Sequence, residues 1–311
     1  MLLIQQFALL AVSIVLLWFG ANYLVDSAEK IANRFGVSQL VIGLTIVAFG
    51  TSAPEFAVTV NAALRGQASI SVGNIVGSNI FNLGFILGLV ALFHPVAANR
   101  KLVYRDGIFM VGSAVILLVF FLTGGYTLSR IEAAVLFILL VFYLGFLFTK
   151  KDPIDTDEIS NEKAKWYDFL IAPLSVIVIA SGGQLLVTSS VSIAKFFGIS
   201  EWVIAITIVA AGTSAPELVT SLAAVLKGKH DISAGNLVGS NIFNILGVLG
   251  VAGMINPLTI DASSFESLIL LVGMIVLSIL FFRTGWKVSR KEGIILILCG
   301  LAMWAVDFVT M

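Results

Sequence analysis

Charge is scarce in this sequence. Only 12% of its 311 residues are Asp, Glu, Lys or Arg, against roughly 25% in a soluble domain, which is too little polar surface to clothe a water-soluble fold. One cysteine, Cys299, excludes an intramolecular disulfide and any cysteine metal cluster. The two histidines, His94 and His230, fall near expected span ends, and no zinc-binding pattern surrounds them. A formal net charge of zero offers nothing to a nucleic acid. What is present instead is hydrophobic: 59% of residues, with a mean hydropathy of +1.06. Runs of about 20 apolar residues recur, each able to cross a hydrocarbon core of about 30 Å. Lipid offers the backbone no hydrogen-bond partners, so the expected fold class is an all-α membrane protein.

Ten spans are expected, at roughly 3–25, 37–64, 70–93, 107–124, 128–149, 167–190, 199–226, 232–254, 266–282 and 288–309. The first has neither the basic start nor the small-residue cleavage site of a signal peptide. The stretch 150–166 reads as a solvated linker of mixed charge between residues 1–149 and 167–311. Ten spans create two alternating sets of ends. One holds 15 of the 18 basic residues and the other holds Arg65, Arg130 and Lys195. The excess of positive charge places the first set, linker included, in the cytoplasm of a cell (plasma) membrane and both termini outside.

The chain is also internally duplicated. Residues 36–82 align with 198–244 at a constant offset of 162, with 28 of 47 positions identical. VIGLTIVAFGTSAPE matches VIAITIVAAGTSAPE, and ISVGNIVGSNIFN matches ISAGNLVGSNIFN. The register continues upstream, pairing Gly20 with Gly182. An offset of five spans turns one copy upside down relative to the other, a pattern of secondary transporters. The predicted architecture is therefore two inverted five-helix repeats with broken helices at the centre.

The repeated residues carry chemistry. GTSAPE, at Gly50 to Glu55 and Gly212 to Glu217, interrupts an apolar span. Glycine favours unwinding. Proline removes a donor, so Pro54 frees the carbonyl of Gly50 and Pro216 that of Gly212. Thr51, Ser52, Thr213 and Ser214 add hydroxyls. Hard cations take such oxygens. Glu55 and Glu217 are the only two of 18 acidic residues expected well inside spans. A carboxylate there costs at least about 2.5 kcal/mol unless it meets a cation or a proton. In the second half of each repeat Ser78 and Asn82, like Ser240 and Asn244, stand at i and i+4 on one helix face and would add neutral oxygens. Asn74, Asn79, Asn236 and Asn241 lie off that face and are expected to bond between helices. Two carboxylates match one divalent ion, or two or more monovalent ions aided by neutral dipoles. Calcium wants 6–8 oxygens, and this inventory supplies them.

Paired GTSAPE and GNIVGSNIFN-type motifs in such a duplication resemble the sodium/calcium exchangers of the calcium/cation antiporter superfamily, over nearly the whole chain. The resemblance implies calcium at Glu55 and Glu217, helped by the carbonyls of Thr51 and Thr213. It implies sodium at flanking positions formed by the carbonyls of Ala48 and Ala210 and the hydroxyls of Ser52, Ser214, Ser78 and Ser240, with Asn82 and Asn244 lining the middle. It further implies that the first and sixth spans slide across the rest, and that calcium leaves the cytoplasm as sodium enters. The transported ions are calcium and sodium; no cofactor and no obligate protein partner are expected. Many relatives carry aspartate where this chain has Asn244, so a mechanism needing a third carboxylate, potassium co-transport included, does not carry over. The short linker leaves no room for the large calcium-sensing domains of animal relatives.

Two other readings stay open. A proton/calcium exchanger would use the same glutamates, although that branch usually has an acidic residue after the Gly-Asn pair, where this chain has Ile-Val and Leu-Val. A passive channel would show flux insensitive to the counter-ion gradient. An intramembrane hydrolase lacks its aspartate pair, its metal-binding histidines or a deep histidine base.

Overall fold

A computed structural model describes residues 2–149, 164–198 and 210–310. Apart from four two-residue strands, the described chain is built from helices. Among the described residues seven helices are long and apolar enough to cross a bilayer, and an eighth span results if a bent pair is counted as one. The bent pair is Gln39–Thr51 and Ala53–Leu64, inclined by 51° where the sequence reads GTSAPE. The kink sits at Ser52 (φ −80°, ψ 8°), because Pro54 can open a helix but cannot continue one from upstream. In the second copy Ala210–Thr213 meets Ala215–Leu226 at Ser214 with nearly the same angles (φ −89°, ψ 7°). The upstream half of that expected span lies outside the described residues.

Helices run further than hydropathy implies where polar turns extend them. The first spans Leu2–Phe35, and the sixth expected span is helical over Asp168–Phe196. These two pack along each other, Gly20 against Ile179 and Gly182 against Leu17. Both contacts obey the offset of 162. The same offset joins the left-handed helix ends at Gly36 and Gly198, and at Gly66 and Gly228. The short strands cross-pair in the same sense: Val96–Ala97 with Lys287–Val288, and Thr127–Leu128 with Leu258–Thr259.

Helices Ala68–Phe93 and His230–Ile255 form the centre. Their most apolar windows are 72% and 78% buried, while the other five long helices reach at most 39%, which leaves those five at the lipid boundary. Each central helix widens into a π turn, Asn82–Ile86 in one and Phe243–Val248 in the other. Such turns disturb the regular ladder and recur at functional sites.

Candidate functional site

The two kinks and the two central helices converge. Glu55 and Glu217 open the helices that follow the kinks, and both are fully buried. Their contacts are reciprocal. Ser52 Oγ donates to Glu217 Oε1 at 2.9 Å, and Ser214 Oγ donates to Glu55 Oε1 at 2.9 Å. Each motif serine therefore serves the glutamate of the other repeat. Ser78 also faces the Glu55 carboxyl, and Thr51 and Ser240 face that of Glu217.

The second oxygen of each carboxylate is left over. Glu55 Oε2 and Glu217 Oε2 are buried with no hydrogen-bond partner among the described residues. The same holds for both side-chain atoms of Asn82 and for the Oδ1 atoms of Asn244 and Asn241. Buried polar atoms without partners are costly. A group that concentrates carboxylate and amide oxygens around two kinks is the donor set of a hard cation.

Every expected side chain with described burial is enclosed: Thr51, Ser52, Ser78, Asn82, Thr213, Ser214, Ser240 and Asn244 are all at most 7% exposed. Thr51 Oγ1 approaches Asn236 Oδ1 at 3.0 Å and Ser240 Oγ at 3.4 Å, tying the first kink to the second central helix. The Ala48 carbonyl already accepts from Ser52 N at 3.1 Å and Thr51 Oγ1 at 3.3 Å, so it is less available to an ion than a fully unwound helix would leave it. Ala210 begins the helical turn before the second kink, and its burial is outside the described set.

Of the four asparagines expected to bond between helices, Asn74, Asn79 and Asn236 do so, while the Asn241 side chain instead donates to Leu237 O, 2.7 Å away one turn back in its own helix. Asn74 Nδ2 donates to Thr59 Oγ1 at 2.9 Å, and Asn236 Nδ2 donates to Ser221 Oγ at 3.0 Å. These are equivalent contacts at the repeat offset, each fastening a central helix to the helix that carries its glutamate. Asn244 Nδ2 donates to Asn79 Oδ1 at 3.0 Å, across the two repeats.

Sequence reasoning missed Asp106. It is completely buried, accepting from Arg105 Nε at 2.8 Å and Tyr143 Oη at 2.9 Å. Hydropathy starts the fourth span at 107, whereas the helix begins at Leu102 and carries Asp106 inward with its paired arginine. Asp106 lies 24 positions beyond Asn82, the end of the recurrent motif, and only the Arg-Asp dipeptide signalled a pair.

Comparison with known proteins adds independent findings. The profile of the family described as sodium/calcium exchanger protein matches residues 5–149 and 168–302. A putative antiporter, CaxA, of Alkalimonas amylolytica is 38% identical over 300 residues, covering 92% of this chain and 93% of the relative. The sodium/calcium exchanger MaX1 of Methanosarcina acetivorans is 33% identical over 344 residues, covering 97% of this chain and 98% of the relative. Among solved structures, the sodium-calcium exchanger NCX_Mj soaked with 100 mM Na+ and 10 mM Sr2+ superimposes with a TM-score of 0.85, at 30% identity over 99% of each chain.

Proposed function

The chain belongs to the sodium/calcium exchanger family, and on that premise we propose that it is a secondary antiporter that exchanges sodium for calcium by alternating access. One observation carries the reading: two buried glutamates from equivalent positions, each with one oxygen held by the opposite repeat's serine and one oxygen unpartnered. Their two charges balance a single calcium ion. Coulomb attraction is strong where water is excluded, so neither glutamate is easily left bare. Several sodium ions can replace calcium by sharing the same carboxylates with the hydroxyls of Ser52, Ser214, Ser78 and Ser240 and the carbonyls of Thr51, Thr213, Ala48 and Ala210. Asn82 and Asn244 supply neutral oxygens between them. Competition for one set of oxygens makes exchange obligatory, because the empty site retains uncompensated buried charge.

In this reading the chain has ten spans, arranged as inverted repeats of residues 1–149 and 167–311 joined by a cytoplasmic linker at 150–166. Reciprocal contacts at a constant offset support it. Both termini face outside the cell membrane, the direction is calcium extrusion, and more than two sodium ions per calcium would make transport electrogenic. Sodium coupling is favoured over proton coupling because hydroxyl and carbonyl oxygens surround the glutamates, and these can coordinate sodium but need not take part in a proton exchange.

The test is calcium uptake into proteoliposomes loaded with sodium and diluted into sodium-free buffer at equal pH. Uptake that requires the outward sodium gradient is the expected result. Uptake driven only by a proton gradient would transfer the coupling to protons and leave the site unchanged.

A further inference from the structure

Asn79 belongs to neither the carboxylates nor the hydroxyls of the proposed site, and its place in the hydrogen-bond chain is singular. It is fully buried on central helix 68–93. The two ends of an asparagine amide have nearly the same shape, so their orientation must be deduced from partners whose polarity is fixed. Here such a partner exists. Asn79 Nδ2 points at the backbone carbonyl of Asn241, 3.4 Å away, and a carbonyl can only accept. That directs Asn79 Oδ1 the other way, onto Asn244, which must answer with its Nδ2, at 3.0 Å. Asn244 Oδ1 is then the end left over, buried and without a partner among the described residues.

The equivalent pair in the other repeat is arranged differently. Asn241 spends its Nδ2 on Leu237 O, 2.7 Å away in its own helix. Asn241 Oδ1 and both ends of the Asn82 amide have no partner among the described residues, so the bond that joins Asn244 to Asn79 has no counterpart there. One of the two central asparagines is oriented by the protein and the other is not.

We infer that Asn79 is a positioning residue which, by accepting from Asn244 Nδ2, holds Asn244 Oδ1 toward the transported cation, so that residue 244 is a fixed oxygen ligand while Asn82 adapts to each ion. The inference rests on the proposed cation site. It also explains why asparagine suits position 244 in this chain: an ionised aspartate there would set oxygen against Asn79 Oδ1 with no proton between them.

The test is equilibrium binding of radioactive calcium to purified protein, alongside sodium-driven uptake, for wild type, Asn79→Ala, Asn244→Ala and the double variant. A buried hydrogen bond of ordinary strength predicts calcium affinity about 2- to 10-fold weaker in Asn79→Ala. The maximal uptake rate should stay close to wild type once calcium saturates. Asn244→Ala should lose at least as much affinity, and the double variant no more than Asn244→Ala alone, because Asn79 acts only through that amide. Losses that add, or wild-type affinity in Asn79→Ala, would overturn the inference. If Asn79→Ala does not fold, Asn79→Ser, too short to reach Asn244, must show the same loss. Wild-type protein that binds calcium without sodium-driven uptake would refute the coupling and leave binding to decide the role of Asn79. Wild-type protein that binds no calcium would overturn both.

Discussion

Helices 53–64 and 215–226 occupy equivalent positions in the duplication, yet one lies open where the other is enclosed. Val58 and Thr220 each stand one turn beyond their glutamate on the same helix face. Val58 is 37% exposed and Thr220 is completely buried. Charge completes the difference. Lys227 Nζ pairs with Asp26 Oδ1 at 2.6 Å and Lys229 with Glu29, fastening the first helix over the enclosed end. At the open end the positions equivalent to Asp26 and Glu29 hold Thr188 and Val191, which offer Arg65 no charge. Near-identical sequences thus sit in two environments, and under the proposed alternating access the end closed in this state would open in its counterpart. In the proposed orientation, with the lysine-bearing end in the cytoplasm, the open end would face outside.

The largest effect should arise at the centre, where the two halves remain alike. Glu55→Gln and Glu217→Gln should each abolish exchange, since losing one charge about 4 Å from a cation at an effective dielectric of about 20 removes about 4 kcal/mol, close to a thousandfold in affinity. Both variants should unfold no earlier than wild type, because the buried charge itself is a cost. Calcium uptake and thermal unfolding in detergent check this, and normal uptake in either variant would remove that glutamate from the site.

Next in size is the packing of the enclosed end. Gly239→Ala should destabilise the protein by about 1–3 kcal/mol through overpacking, because the added Cβ would stand 2.6 Å from Leu44 O of helix 39–51. An unchanged thermal unfolding transition would mean that these two helices do not approach closely there.

A third contrast is chemical. In a variant with Cys299 replaced by serine, Val58→Cys should react with a membrane-impermeant maleimide applied from outside, while Thr220→Cys should stay unmodified. Sodium-driven turnover should then expose Thr220→Cys to reagent on the cytoplasmic side only. Labelling of both from one side would collapse the distinction between open and closed ends.

The smallest effect concerns the ion pairs. Asp26 is 51% exposed and Lys227 27%, so breaking their bridge with Asp26→Asn should cost at most about 1 kcal/mol. Its signature would be faster cytoplasmic labelling of Thr220→Cys, reversed in the charge-swapped pair Asp26→Lys with Lys227→Asp. No change in labelling would reduce the bridge to a surface contact.

Much of the site was legible because the duplication marks it twice. GTSAPE names the kink, the hydroxyls and the glutamate in six residues, and the structure bends the first copy at Ser52 and buries Glu55 just beyond. The i, i+4 spacing named Ser78 and Asn82, and Ser240 and Asn244, and the structure buries all four. The interhelical roles of Asn74, Asn79 and Asn236 followed from their position off that face. The reciprocity of Ser52 with Glu217 and Ser214 with Glu55 was not legible, since local spacing speaks only of neighbours in the chain. Asp106 was missed because its burial depends on Arg105 and Tyr143, and Tyr143 arrives from a helix 37 positions later.

By itself the sequence determined a membrane-embedded helical chain, a twofold repeat and the residues of a candidate cation site, because hydropathy, proline geometry and the cost of a buried carboxylate are local properties that any fold must respect. The tertiary structure alone decided which carboxylate oxygens remain unpartnered, which asparagine is held in place and which end stands open. Those depend on how two nearly equal halves are set against each other, and equal sequences cannot encode which of two equivalent arrangements is occupied.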